Sequence, residues 1–146
     1  MPRKYVKKPR RTRLVKKLDK VFSEYIRTRD KLRYGGCFFC GGEIECCFHI
    51  IRRARYAVRW DDRNAVGANH ICNYKEVQNS HPFVAKYISE FGHEQYLKLV
   101  ELSKVQPKHS LDELQTMIDF FVAEKASILA NPKEFISEIS DGTLGA

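Results

Sequence analysis

Residues 35–51 read GGCFFCGGEIECCFHII, and this stretch decides how the chain is built. Two glycine pairs, Gly35-Gly36 and Gly41-Gly42, bracket Cys37-x-x-Cys40. Glycines free the backbone for tight turns, and a Cys-x-x-Cys presents two thiolates to one zinc from a single turn. The apolar residues that follow, into Phe48-His49-Ile50-Ile51, predict a knuckle running into a short strand. All five cysteines (Cys37, Cys40, Cys46, Cys47, Cys72) lie within this stretch or shortly after it. An odd count with no export signal favours metal over disulfides. Cys72 is the expected third ligand, and His70 or one of Cys46 and Cys47 is open as the fourth. The competing reading treats these thiols as small buried hydrophobes.

Upstream, Leu14, Leu18, Phe22, Tyr25 and Ile26 recur on one face of a helix that fades near Tyr34. Ahead of it, residues 1–13 are Pro-interrupted and almost all basic, which predicts a flexible arm. Downstream, residues 52–68 read as basic and irregular, with a short helix beginning near His70 to Asn73. Pro82 opens a helix through Phe91 that Gly92 stops, and a second helix spans about His93 to Ser103. Ser110-x-x-Glu113 has the capping-box form. After it, Leu114, Ile118, Phe121 and Leu129 form the apolar stripe of a long helix. Asn131-Pro132 opens a last short one. The expected organisation is a basic arm over 1–13, a knuckle module with its N-terminal helix over 14–92, a helical extension over 93–139 and a loose tail over 140–146. The fold class is α+β, mostly α.

The chain has 146 residues and a formal net charge of +8, unevenly spread. Residues 1–20 carry +9, residues 21–75 carry +4 and residues 76–146 carry −5. Clustered cations of this kind are the footprint of a polyanion binder. They make Lys7, Lys8, Arg10, Arg11 and Arg13 candidate phosphate contacts, to DNA first, with RNA not excluded. The acidic, helical second half is suited to a protein partner or a dimer face. No apolar run approaches the roughly 20 residues that span a bilayer, and a basic N-terminus replaces any signal-peptide core. A membrane role is therefore excluded, and a cytoplasmic protein is expected.

His49 stands at the end of the predicted strand, followed by Arg52 and Arg53. Arg59-Trp60-Asp61-Asp62-Arg63-Asn64 and then Cys72-Asn73 come after it. A strand His, a loop Asn and a helix residue beside a zinc-type Cys is the order of the HNH, or ββα-metal, nuclease site. In that chemistry the His takes a proton from water, and the middle Asn holds the loop that aims it. The helix residue binds a divalent cation that stabilises the phosphorane.

The chain resembles the NinG (Rap) family of phage recombination proteins. The resemblance rests on Phe22-Ser-Glu-Tyr-Ile-Arg27-x-Arg-Asp30, Cys37-x-x-Cys40-Gly41, His49-Ile-Ile-Arg52-Arg53, Arg59-Trp60-Asp61-x-x-Asn64 and Cys72-Asn73. It continues through Tyr87-Ile88 and Phe91-Gly92. The resemblance implies an HNH-type endonuclease, a phosphodiester hydrolase acting on branched DNA. It makes His49 the general base, Asn64 its orienting residue and Asn73 the ligand of a catalytic Mg²⁺ or Mn²⁺. Cys37, Cys40 and Cys72 fall at structural zinc positions, and Arg52, Arg53 and Arg59 at phosphate-facing ones. Two positions depart from the family pattern. Asn69 stands where the second knuckle usually begins with Cys, and Phe48 stands where Gly is usual and where many other HNH sites have Asp. These departures support an alternative, a zinc-stabilised nucleic-acid-binding protein that does not cut. A protein–protein adaptor acting through the acidic half is a third reading.

Overall fold

The structure, a computed structural model, describes residues 1–2 and 9–140. In chain order the elements are α1 (Arg10–Tyr34), β1 (Cys46–His49), α2 (Tyr56–Arg59), a 3₁₀ turn (Asp62–Asn64) and β2 (Ala65–Ala68). Five further helices follow: α3 (His70–Gln78), α4 (His81–Phe91), α5 (His93–Ser103), α6 (Leu111–Ala130) and α7 (Pro132–Ser140). The protein is α+β and mostly helical, with a small sheet set between the N-terminal helix and the C-terminal ones.

Helix α1 begins at Arg10, ahead of its apolar period. Arg10, Arg11 and Arg13 therefore sit on a helical turn and not in the loose arm expected over 1–13. The apolar period starts only where the helix meets the core, whereas this first turn is held from outside: Arg11 Nη1 donates to the His109 carbonyl at 2.6 Å. Lys7 and Lys8 lie outside the described residues, as does most of the expected 140–146 tail. At its other end α1 closes on Gly35, whose φ of 74° is left-handed and whose N–H returns to Lys31 O.

Two apolar cores share the sheet. In the first, α1 packs along α6 through Leu18, Phe22, Tyr25 and Ile26 against Leu114, Ile118, Phe121 and Ile128. The stripe on α6 thus ends at Ile128, and the expected Leu129 is 59% exposed. Ile128 stands seven residues, about two turns, beyond Phe121 and keeps its face, and one more residue turns away by about 100°. In the second core, the knuckle (Cys37, Phe38), Phe48, Val58, Val66, Tyr87 and Leu99 pack together. Strand alternation feeds both: Cys46 and Phe48 face the second core, while Cys47 packs against the first.

The region expected to be irregular, 52–68, contains α2 and β2. Strand β2 (Ala-Val-Gly-Ala) lacks an alternating pattern because all four residues are buried. It pairs antiparallel with β1 in the register Cys46↔Ala68, Cys47↔Gly67, Phe48↔Val66 and His49↔Ala65. Its outer edge is stitched to α1 and the knuckle. Asp30 accepts from Gly67 N–H at 2.7 Å, Arg29 Nη2 donates to Ala65 O at 2.8 Å, and Phe38 N–H donates to Gly67 O at 3.0 Å. Arg29 and Asp30 also pair with each other at 2.7 Å, so the Arg-Asp dipeptide of α1 is a structural anchor. Gly67 permits that approach, since a Cβ there would lie 3.2 Å from the Cβ of Asp30.

Helices α4 and α5 occupy the expected spans and meet at Gly92 (φ 88°). Ser110 caps α6 by accepting from Glu113 N–H at 3.0 Å. The reciprocal half of the capping box is absent, because Glu113 pairs with His109 instead. No helix among the described residues is long and apolar enough to cross a membrane.

Candidate functional site

The knuckle turns where its glycines direct. Gly41 N–H bonds to Cys37 O at 2.9 Å, and Cys37 N–H bonds to Gly42 O at 2.7 Å. The closed turn aims backbone donors at both sulfurs: Phe39 N–H at Cys37 Sγ and Gly42 N–H at Cys40 Sγ, each at 3.4 Å. Helix α3 then brings in Cys72, and the thiols of Cys37, Cys40 and Cys72 all lie within 4.8 Å of one another. Burial alone would raise the Cys37 thiol, but backbone N–H groups of Cys40, Asn69 and Phe39 pull it below its ordinary value. Cys72 is pushed up to about 12 by burial and by its two thiol neighbours. Three sulfurs this close, cradled by donors, form a donor set that fits a soft divalent cation such as zinc, which would hold all three as thiolates.

The remaining fourth-ligand candidates are engaged elsewhere. Asn69 caps α3, its Oδ1 accepting from Ile71 N–H at 2.9 Å while its Nδ2 reaches Glu43 O at 3.4 Å. His70 is exposed at the start of α3 and is not among the three clustered thiol ligands. Its backbone N–H is taken by Glu45 at 2.8 Å. Cys46 donates to Ala68 O at 3.4 Å, and Cys47 is turned into the first core, where burial pushes its thiol up. Helix α3 buries only Cys72, so the thiol cluster and its cap are what attach it.

His49 closes β1 with its ring 5.9 Å from that of Phe22 on α1. Its Nε2 is 2.9 Å from the Arg59 carbonyl. A carbonyl only accepts, so in the neutral ring Nε2 carries the proton and Nδ1 keeps a free lone pair. Burial lowers the His49 pKa to about 4, and the ring is neutral at physiological pH. Asn64, fully buried, holds the segment after His49. Its Oδ1 accepts from Ile51 N–H at 2.8 Å, and its Nδ2 donates to Ile51 O at 2.9 Å and Val58 O at 3.0 Å.

The basic residues divide in two. Arg52 and Arg53 are exposed on the loop after β1. Arg59, expected with them, is committed elsewhere: it forms a bidentate ion pair with Asp19 of α1 and lies 5.0 Å from the Tyr56 ring centroid. Its Nε and Nη2 are both taken by the Asp19 carboxylate. Arg55, at the head of α2, is exposed as Arg52 and Arg53 are. Tyr56 joins it, half exposed and edge-on to Trp60. Asn73 lies on the exposed side of α3, and its side chain makes no hydrogen bond among the described residues. Phe48 is 2% exposed and packs on Phe39 and Phe83. A cavity of about 310 Å³ beneath α7, lined by Arg29, Arg33, Glu134 and their neighbours, includes neither His49 nor any thiol.

No curated protein and no solved structure matches the chain. A family model does, described as the bacteriophage lambda NinG protein and matched over residues 2–130, which takes in α1, the knuckle, His49, Asn64, Cys72 and all of α6. The chain belongs to the NinG family of phage recombination proteins.

Proposed function

We propose that this NinG-family protein is an HNH-type endonuclease that hydrolyses phosphodiesters in branched or recombining DNA within the host cytoplasm. The observation that carries the reading is the 2.9 Å contact between His49 Nε2 and Arg59 O. It fixes one tautomer, leaves Nδ1 as a proton acceptor and keeps the ring neutral, which is what a general base for water requires. Asn64 fits the orienting role, since it holds both ends of the loop from Ile51 to Val58. Arg52, Arg53 and Arg55 on that loop are placed beside His49 in sequence and free to meet backbone phosphates. Arg10, Arg11 and Arg13 on α1, with Lys7 and Lys8 before it, add affinity that does not depend on sequence.

The thiol trio would hold a structural zinc, whose chemistry is to fasten α3 to the knuckle. For the expected catalytic Mg²⁺ or Mn²⁺ the residues do not fit. Asn73 offers one neutral carboxamide oxygen, Phe48 occupies the core where a carboxylate would stand, and the thiols are the sole metal-type cluster among the described residues. The buried Phe48 also favours a second reading, a zinc-stabilised DNA- or RNA-binding protein that does not cut and serves a structural or regulatory part of a phage assembly.

One experiment separates the two. Wild type and His49→Ala are incubated with a labelled four-way junction and a linear duplex, in Mg²⁺, Mn²⁺ or EDTA. Cutting by wild type that vanishes in the variant supports the endonuclease. Binding without cutting in every metal supports the second reading.

A further inference from the structure

We infer that the metal site formed by Cys37, Cys40 and Cys72 is a three-thiolate site whose fourth coordination position is open to a ligand from outside the chain. The inference rests on the structural-metal reading above and goes beyond it. The Asn and Cys candidates are engaged in other contacts, and His70 stands apart from the thiol cluster. Asn69 has both ends of its carboxamide engaged, Oδ1 in capping α3 and Nδ2 towards Glu43 O. His70 is exposed and outside the cluster. Cys46 is bonded to Ala68 O on the second-core side of the sheet, and Cys47 packs in the first core. Residues 3–8 and 141–146 contain neither Cys nor His.

The site is also accessible. Cys40 is exposed, as are Gly41 and Gly42 after it. Zinc and cobalt bound by three thiolates remain four-coordinate by recruiting one more donor, and a closed structural site differs from an exchangeable one in this respect. The ligand class follows from the soft, electron-rich donor set: a thiolate or an imidazole, from a small molecule or from a partner's side chain.

The test is Co²⁺ binding to the full-length protein, followed through its visible absorption. Wild type is expected to take up one Co²⁺ per chain, and its visible bands should shift saturably when 2-mercaptoethanol or imidazole is added. Asn69→Cys should bind Co²⁺ with a tetrathiolate spectrum that added ligands leave unchanged. His70→Ala and Cys46→Ser should respond as wild type does. If Asn69→Cys fails to fold, the wild-type titration alone decides. Bound Co²⁺ whose spectrum ignores both added ligands would overturn the open position while leaving the metal reading intact. A changed starting spectrum in His70→Ala or Cys46→Ser would overturn it equally. Failure of wild type to bind Co²⁺ at all would overturn both.

Discussion

Asp19 of α1 and Arg59 at the end of α2, 40 residues apart, form a two-armed ion pair, with Nε to Oδ1 at 2.9 Å and Nη2 to Oδ2 at 2.5 Å. Trp60 Nε1 donates to the same carboxylate at 2.9 Å. The residue that α1 clamps is the one whose carbonyl accepts the hydrogen bond from His49 Nε2–H, so Asp19 positions His49 through Arg59. Asp19→Asn should cost about 2 kcal/mol of stability by denaturant unfolding. It should also blur the single His49 tautomer seen by ¹⁵N NMR, and an unaltered imidazole spectrum would refute the linkage.

The same carboxylate sets part of the acid sensitivity. Burial alone would raise its pKa, but the bonds from Arg59 and Trp60 bring it below the ordinary 3.8. A depressed carboxylate stabilises the fold above its unfolded pKa, and that contribution is lost as pH falls through the lower folded value. Wild type should therefore lose stability below about pH 4, and Asp19→Asn should lack this component of the pH profile.

His49 works at higher pH. Its folded pKa, held near 4 by burial, lies below the ordinary 6.5. The unfolded chain therefore binds the proton more readily, so stability is full above pH 6.5 and declines towards pH 4. The loss approaches roughly 3 kcal/mol. His49→Gln should remove that slope. An NMR titration of His49 with a midpoint near 6.5 would contradict the burial of the ring.

Asn64→Ala should be among the most damaging substitutions. It strips partners from Ile51 N–H, Ile51 O and Val58 O in a buried setting, at a cost of about 3 kcal/mol. Asn64→Asp keeps the acceptor but turns an oxygen on two carbonyls, so it should not rescue. Recovery of wild-type stability by the Asp variant would show that the amide donor is dispensable.

Arg52→Ala, Arg53→Ala and Arg55→Ala should each weaken DNA binding on any sequence and reduce the salt slope by about one. Arg59→Ala should act differently, lowering stability through the loss of its pair with Asp19. Equal salt slopes in all four variants would erase the distinction between the two kinds of arginine.

Chelation should act locally. Because α3 buries only Cys72, removal of metal by a strong chelator should raise hydrogen exchange over 70–78 while α1 and α6 stay protected. Uniform protection after chelation would mean that packing, not the thiol cluster, holds α3.

The helices were legible because their signals are local. The apolar period of α1, Gly35 and Gly92 as stops, and Ser110 as a cap each act within a few residues. The knuckle was legible for the same reason. Strand β2 was not, since nothing in Ala-Val-Gly-Ala announces a strand, and its edge is satisfied by Asp30 and Arg29 from 36 to 37 residues away. The ion pair of Arg59 was hidden on similar grounds: a sequence displays the cation but not the carboxylate that a distant helix lays across it. His70 was a reasonable ligand by spacing, yet the first turn of α3 aims it at solvent.

The dressing of β2 by α1 has a consequence for behaviour at high concentration. A two-stranded sheet has two rims, and a bare rim is a template on which another chain can lay a strand. On the β2 side, Gly67 N–H, Gly67 O and Ala65 O are already taken by Asp30, Phe38 and Arg29. Those three groups are no longer open to recruit a neighbour. A charged dipeptide on a helix thus stands in for a third strand and protects the molecule from sheet-to-sheet aggregation on that side.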